Sequence, residues 1–175
     1  MSLADLASLG SFVSAFAVLI SLIYLSLQVK QSERNQQSSI RATRVTRIVD
    51  IYMRLAEPTL SDAVIKAGAG ESTVSDTQVH QFMFYCGARF YNAEDSFNQF
   101  REGLLNQRAL DSLVAGLKHS LSEPGMRAYY RRHRATFGID FAGFVDKLLA
   151  ETPLVRAADA VAQWRGDVAA EFTAS

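Results

Sequence analysis

From Leu6 to Val29 the chain runs for 24 residues without a formal charge, bounded by Asp5 and Lys30. As a helix rising about 1.5 Å per residue this run is about 36 Å long, more than the roughly 30 Å hydrocarbon core of a bilayer. A secretory signal would need basic residues ahead of a shorter apolar core and a small-x-small exit. Here the only charged side chain ahead of the run is Asp5, and the exit reads Leu27-Gln28-Val29-Lys30. The run is therefore read as a transmembrane helix rather than a cleaved signal or a buried soluble helix. The whole-chain balance of 18 Lys+Arg against 18 Asp+Glu conceals this division, because nearly every charge follows the run.

Orientation follows from the residues just beyond the span. Lys30, Arg34, Arg41, Arg44, Arg47 and Arg54 outnumber Glu33 and Asp50, and no Lys or Arg precedes the span. The positive-inside bias then predicts a short amino terminus outside and the bulk of the chain in the cytoplasm. A single cysteine, Cys86, agrees with a reducing compartment.

The span is not uniform around its circumference. Leu9, Phe12, Phe16, Leu19, Ile20, Ile23 and Leu27 share one face, suited to lipid. Gly10, Ser14, Ala17, Ser21, Tyr24 and Gln28 recur at alternating spacings of four and three, the rhythm that keeps a seam toward a partner helix. The register continues through Gln31 and Asn35 and on to Ala42, Val45, Val49 and Tyr52. Small residues let backbones approach and Ser, Tyr and Gln can bond across a contact, so the seam predicts helix association in the membrane. An alternative is that several copies turn Ser14, Ser21, Gln28, Gln31 and Asn35 to a common axis and line an ion-conducting pore.

No Pro interrupts the chain before Pro58, and apolar spacing resumes at Val45, Ile48, Val49, Tyr52 and Leu55, which predicts one helix continuing from the span to about Ala56. Arg41, Arg44 and Arg47 lie three apart on it, within reach of anionic headgroups or simply solvated. Pro58 then opens a short helix over about 59–67, which Gly68-Ala69-Gly70 breaks. Ser75 and Gln78 form a capping-box pattern ahead of a stripe of Val79, Phe82, Met83, Cys86, Phe90, Ala93, Phe97 and Phe100. Asn106 caps a helix with Leu110, Leu113, Val114, Leu117 and Leu121 on its apolar side. A basic, aromatic helix over about 126–136 follows Pro124, and Gly138 ends it. Asp140 is the expected cap of another helix, burying Phe141, Phe144, Val145, Leu148 and Leu149. After Pro153, an alanine-rich tail with Val161, Trp164 and Val168 suggests a marginal last helix.

No segment alternates with period two, so the fold class is all-α. The organisation is a membrane anchor (1–29), a basic and polar membrane-proximal helix (30–57), a small cytoplasmic helical bundle (58–150) and a tail (151–175).

Three phrases carry a resemblance. They are Leu22-Ile23-Tyr24-Leu25-Ser26-Leu27-Gln28-Val29-Lys30-Gln31, Phe97-Asn98-Gln99-Phe100-Arg101-Glu102-Gly103-Leu104-Leu105, and Pro124-Gly125-Met126-Arg127-Ala128-Tyr129-Tyr130 with Phe137 following. In this order, over about residues 5–150, the chain resembles a family of small bacterial proteins, without an assigned activity, that have one amino-terminal transmembrane helix and a helical cytoplasmic domain. The resemblance implies that architecture and a bacterial inner membrane, and carries over no functional residue.

Chemistry is hard to find. His80, His119 and His133 complete neither a Glu-x-x-His pair nor a His-Glu-x-x-His motif. His119 and Glu123 stand four apart, but Pro124 marks a helix end there. Cys86 on an apolar stripe predicts a buried, inert thiol. Gly68-Ala69-Gly70 lacks the lysine of a phosphate-binding loop. We therefore expect no metal, no cofactor and no enzymatic activity.

Arg127, Arg131, Arg132 and Arg134, interleaved with Tyr129 and Tyr130, form a basic cluster for a lipid headgroup or partner protein, unless they pair with Glu94, Asp95 and Glu102 inside the bundle. Zero net charge argues against nucleic acid. The expected role is association, as a homo-oligomer or as an accessory subunit of a larger membrane complex, with the pore as the alternative.

Overall fold

A computed structural model describes residues 3–155 and 160–173. Among them every regular element is helical and no strand occurs. The chain divides into two compact units, Met1–Asp50 and Ile51–Ser175.

The first unit is made by α1 (Leu3–Leu55), whose last turn belongs to the second. From Gly10 through Ser39 every side chain of α1 is exposed, including Phe12, Phe16, Leu19, Ile20, Ile23 and Leu27. It is long and apolar enough to cross a membrane.

In the second unit, α2 (Pro58–Ala69) begins on Pro58, whose missing N–H falls where the helix has no acceptor for one. It ends on Gly70 at φ 75°, with Gly70 N–H donating to Ala67 O and Glu71 N–H to Lys66 O, a Schellman closure that needs a residue tolerant of the left-handed region. The helix is longer at both ends than the sequence suggested, because Pro58 is itself helical and Gly68 and Ala69 complete the last turn. The capping box of α3 (Asp76–Arg101) is present: Gln78 N–H donates to Ser75 Oγ and Ser75 N–H to Gln78 Oε1. The Asn106 side chain accepts from Ala109 N–H and starts α4 (Gln107–Leu121). α5 (Pro124–His133) leads through a short 3-10 turn, Arg134–Thr136, into α6 (Ile139–Glu151). The tail forms α7 (Ala160–Thr173), with Trp164 exposed; the Val161 side chain lies outside those described.

The start of α6 also needs correction. Gly138, not Asp140, is the residue that precedes α6. The extended Gly138 gives its N–H to Glu94 Oε1 on α3 and its carbonyl to Ala142 N–H. Asp140 therefore falls in the first turn of α6, where it pairs with Arg101.

The core is aromatic. Phe90, wholly buried on α3, has ring neighbours on three sides: Tyr129 at 5.8 Å, Tyr130 at 5.5 Å and Phe137 at 5.7 Å. Phe82, Cys86, Leu117, Leu121, Met126, Phe141 and Val145 complete the layer, so α3 is the spine on which the other core helices of this unit pack. The buried Tyr130 hydroxyl lies 2.8 Å from both Ala142 O and Asp146 Oδ1, so its polar tip is not orphaned.

Candidate functional site

α1 carries the small and polar seam on an exposed surface. Ser21 Oγ donates to Ala17 O at 2.8 Å, and Gln28 Nε2 donates to the Tyr24 hydroxyl at 3.0 Å. These polar groups find partners inside their own helix. Gly10, Ser14, Ala17, Gln31 and Asn35 are exposed beside them, while Leu9 of the opposite face lies outside the described side chains. Farther along, Arg41 and Arg47 are exposed and Arg44 is half-exposed.

Among the described residues Arg127, Arg131, Arg132 and Arg134 do not pair with Glu94, Asp95 or Glu102. The chain passes from α5 through the short 3-10 turn into α6, and the carboxylate that Arg134 meets there is Asp146. Arg134 forks onto it, Nε at 3.0 Å and Nη2 at 2.6 Å from Oδ2, and this hydrogen-bonded charge holds the Asp146 carboxyl below its usual range. Arg127 donates to the backbone carbonyls of Leu121 and Thr152, tying the start of α5 to the end of α6. Both side chains are spent on the fold. Arg131 and Arg132 are exposed and make no hydrogen bond or ion pair among the described residues. Arg132 stands at the rim of an apolar groove of about 630 Å³ between α2, α3 and α5, with Phe82 and Gly125 in its wall. Cys86 is wholly buried with its thiol donating to Met126 Sδ, and burial pushes the thiol up, which makes it a packing group.

A second group of unspent charges, of both signs, lies elsewhere in this unit. A cavity of about 160 Å³ is lined by Tyr52, Tyr85, Arg89, His119, Ser120 and Glu123, over an apolar base that includes Val64 and Met126. Ser120 Oγ donates to Gly116 O and accepts from Arg89 Nη2 at 3.0 Å, which fixes the guanidinium. Glu123 precedes α5 but does not cap it. Its half-buried carboxylate turns instead toward α2, where a Cβ on Gly68 would come within 2.7 Å of Glu123 Oε2. Among the described residues that carboxylate accepts no hydrogen bond and makes no ion pair, although Arg89 and His119 face it. Desolvation pushes the Glu123 carboxyl above its usual range, against the lowering influence of His119 and Arg89. Burial likewise raises the Tyr85 hydroxyl.

A carboxyl whose folded-state value is raised binds its proton to higher pH in the folded chain than in the unfolded one. Its ionisation therefore removes stability as pH climbs through the window above the ordinary value of 4.5. Glu123→Gln is expected to stabilise the bundle at pH 7 by about 1 kcal/mol, the scale of a desolvated group lacking a donor. The gain should vanish at about pH 3.5, where both states are protonated. Circular-dichroism melts of the two proteins in mild detergent at the two pH values check this.

Residue patterning did not reveal the cavity. Its polar lining comes from the last turn of α1, from α3, from the end of α4 and from the turn before α5, and no local spacing joins them. The only sequence signal was the His119–Glu123 interval, interrupted by Pro124. Among the described residues no group of three or more His, Cys, Asp or Glu could hold a metal ion. No protein-family model, curated protein or solved structure matches this chain.

Proposed function

We propose that this is a single-span, cytoplasm-facing helical protein of a bacterial inner membrane whose work is association, as a homo-oligomer or as an accessory subunit of a larger membrane complex. The observation that carries the reading is the uncovered apolar stretch of α1: its side chains from Gly10 to Val29 find no cover in their own chain, yet the helix is long enough to span. Lipid covers such a surface, and a seam of Gly, Ser and Ala lets a second helix replace lipid at close range. The basic residues from Lys30 to Arg54 support an inside carboxyl-terminal side. The bundle offers the groove rimmed by Arg132 as a docking surface.

The bonds of Ser21 and Gln28 within α1 favour packing over pore lining, since these groups need no water file to be satisfied. Replacing Gly10, Ala17 and Ser21 together by Leu is expected to weaken association at least tenfold, read as a fall in particle mass by light scattering in mild detergent. The same replacement on the face of Phe16, Leu19 and Ile23 should leave the mass unchanged. Conductance in planar bilayers that disappears when Ser14, Ser21 and Gln28 become Leu would establish the pore instead.

A further inference from the structure

We propose that the cavity between Arg89 and Glu123 is a binding site for a small zwitterion, a molecule bearing a carboxylate at one end and an ammonium group at the other. Arg89 and Glu123 have opposite charges and line one partly buried space, yet they do not close onto each other. Left to themselves two such groups gain by pairing, since a shared low-dielectric space strengthens their attraction. Here the geometry holds them apart. Ser120 anchors the Arg89 guanidinium from one side through a bond that uses one of its five N–H donors. The Glu123 side chain is set against α2 at Gly68, where a Cβ would come within 2.7 Å of Oε2 and push the carboxylate aside. Both side chains line the cavity, and Arg89 keeps donors and Glu123 acceptors that no group among the described residues uses.

The size and the walls restrict the occupant. A volume of about 160 Å³ is below the range of about 300–1,000 Å³ typical of drug-sized ligands. A planar guanidinium takes a carboxylate in a two-pronged contact, and an ionised Glu123 accepts only from a donor. Tyr85 and Tyr52 add aromatic edges and faces suited to an ammonium group and its methylenes. An anion alone would leave Glu123 unanswered, and a cation alone would leave Arg89 so. A ligand carrying both answers both, and the site's own opposite charges make a net-neutral ligand the best match.

The test is isothermal titration calorimetry on the full chain in mild detergent at pH 7. Glycine, β-alanine and 4-aminobutyrate serve as zwitterions of increasing span, with acetate and methylammonium as single-charge controls. The expected result is saturable binding of at least one zwitterion with a Kd of about 1 mM or tighter, and at least tenfold weaker binding of both controls. Glu123→Gln and Arg89→Gln should each weaken that binding at least tenfold. Glu123→Gln is expected to be at least as stable as the parent, so a loss of binding there is not a loss of fold, and a thermal melt of each variant checks it. Absence of saturable binding for all three zwitterions, acetate or methylammonium binding as tightly as any of them, or an unchanged affinity in folded Glu123→Gln would each overturn the proposal.

Discussion

Phe90→Ala is expected to lower the stability of the bundle by about 4 kcal/mol, within the range for deleting a fully buried aromatic ring. Phe90 is wholly buried, and its ring is the common neighbour of Tyr129, Tyr130 and Phe137. Those three rings come from α5 and the segment after its 3-10 turn, so they cannot close the vacancy without shifting elements that Arg127 and Arg134 pin to the end and middle of α6. Bundles of this size have about 5–15 kcal/mol in all, so the variant should melt at least 15 °C lower. Phe84, on the same helix but 76% exposed, is the control: Phe84→Ala should move the midpoint by no more than about 4 °C, a surface-substitution effect of about 0.5 kcal/mol or less. Circular-dichroism melts of both variants in one detergent make the comparison.

The second large effect is expected from a single methyl group. Gly125 in the first turn of α5 packs directly on α2, and a Cβ there would collide with the Ala67 carbonyl oxygen and lie 3.0 Å from Gly68 Cα. Both obstacles are backbone and cannot rotate away. Gly125→Ala should therefore destabilise the bundle by about 2–3 kcal/mol, the cost of forcing packed backbones apart. Gly116 in α4 has nothing within 4 Å of its would-be Cβ, so Gly116→Ala should go the other way, gaining about 0.5–1 kcal/mol from helix propensity. Opposite signs for the same chemical change would separate close packing from backbone entropy. Equal signs would contradict the described α2–α5 contact.

The local signals that proved legible are those whose physics is confined to a few residues. Ser75 with Gln78 and Asn106 with Ala109 satisfy helix-end donors over three residues, and both caps are formed. The stripe of α3 is buried at Phe82, Cys86, Phe90 and Ala93, yet Val79 at its start is 40% exposed beside the groove. What spacing did not disclose was tertiary. Gly138 serves as the residue before α6 because Glu94, 44 positions earlier, takes its N–H. Arg134 meets Asp146 instead of the α3 carboxylates because the connection to α6 is short. Glu123 looked like the i+4 partner of His119 at a helix end. In the fold its carboxylate turns to Gly68 of α2 and faces Arg89 of α3, residues brought near only by the packing of helices. The small and polar seam of α1 is a one-dimensional pattern that spacing alone discloses, and the bonds of Ser21 and Gln28 within that helix satisfy these polar members locally.

Association through α1 is the central claim, and the mass of the particle extracted from membranes in mild detergent tests it most directly. Static light scattering with the detergent contribution subtracted is predicted to give one species at a multiple of the 19.3 kDa chain mass, or this chain held stoichiometrically with larger membrane proteins. A monodisperse particle containing a single 19.3 kDa chain and nothing else would contradict the claim in both of its forms.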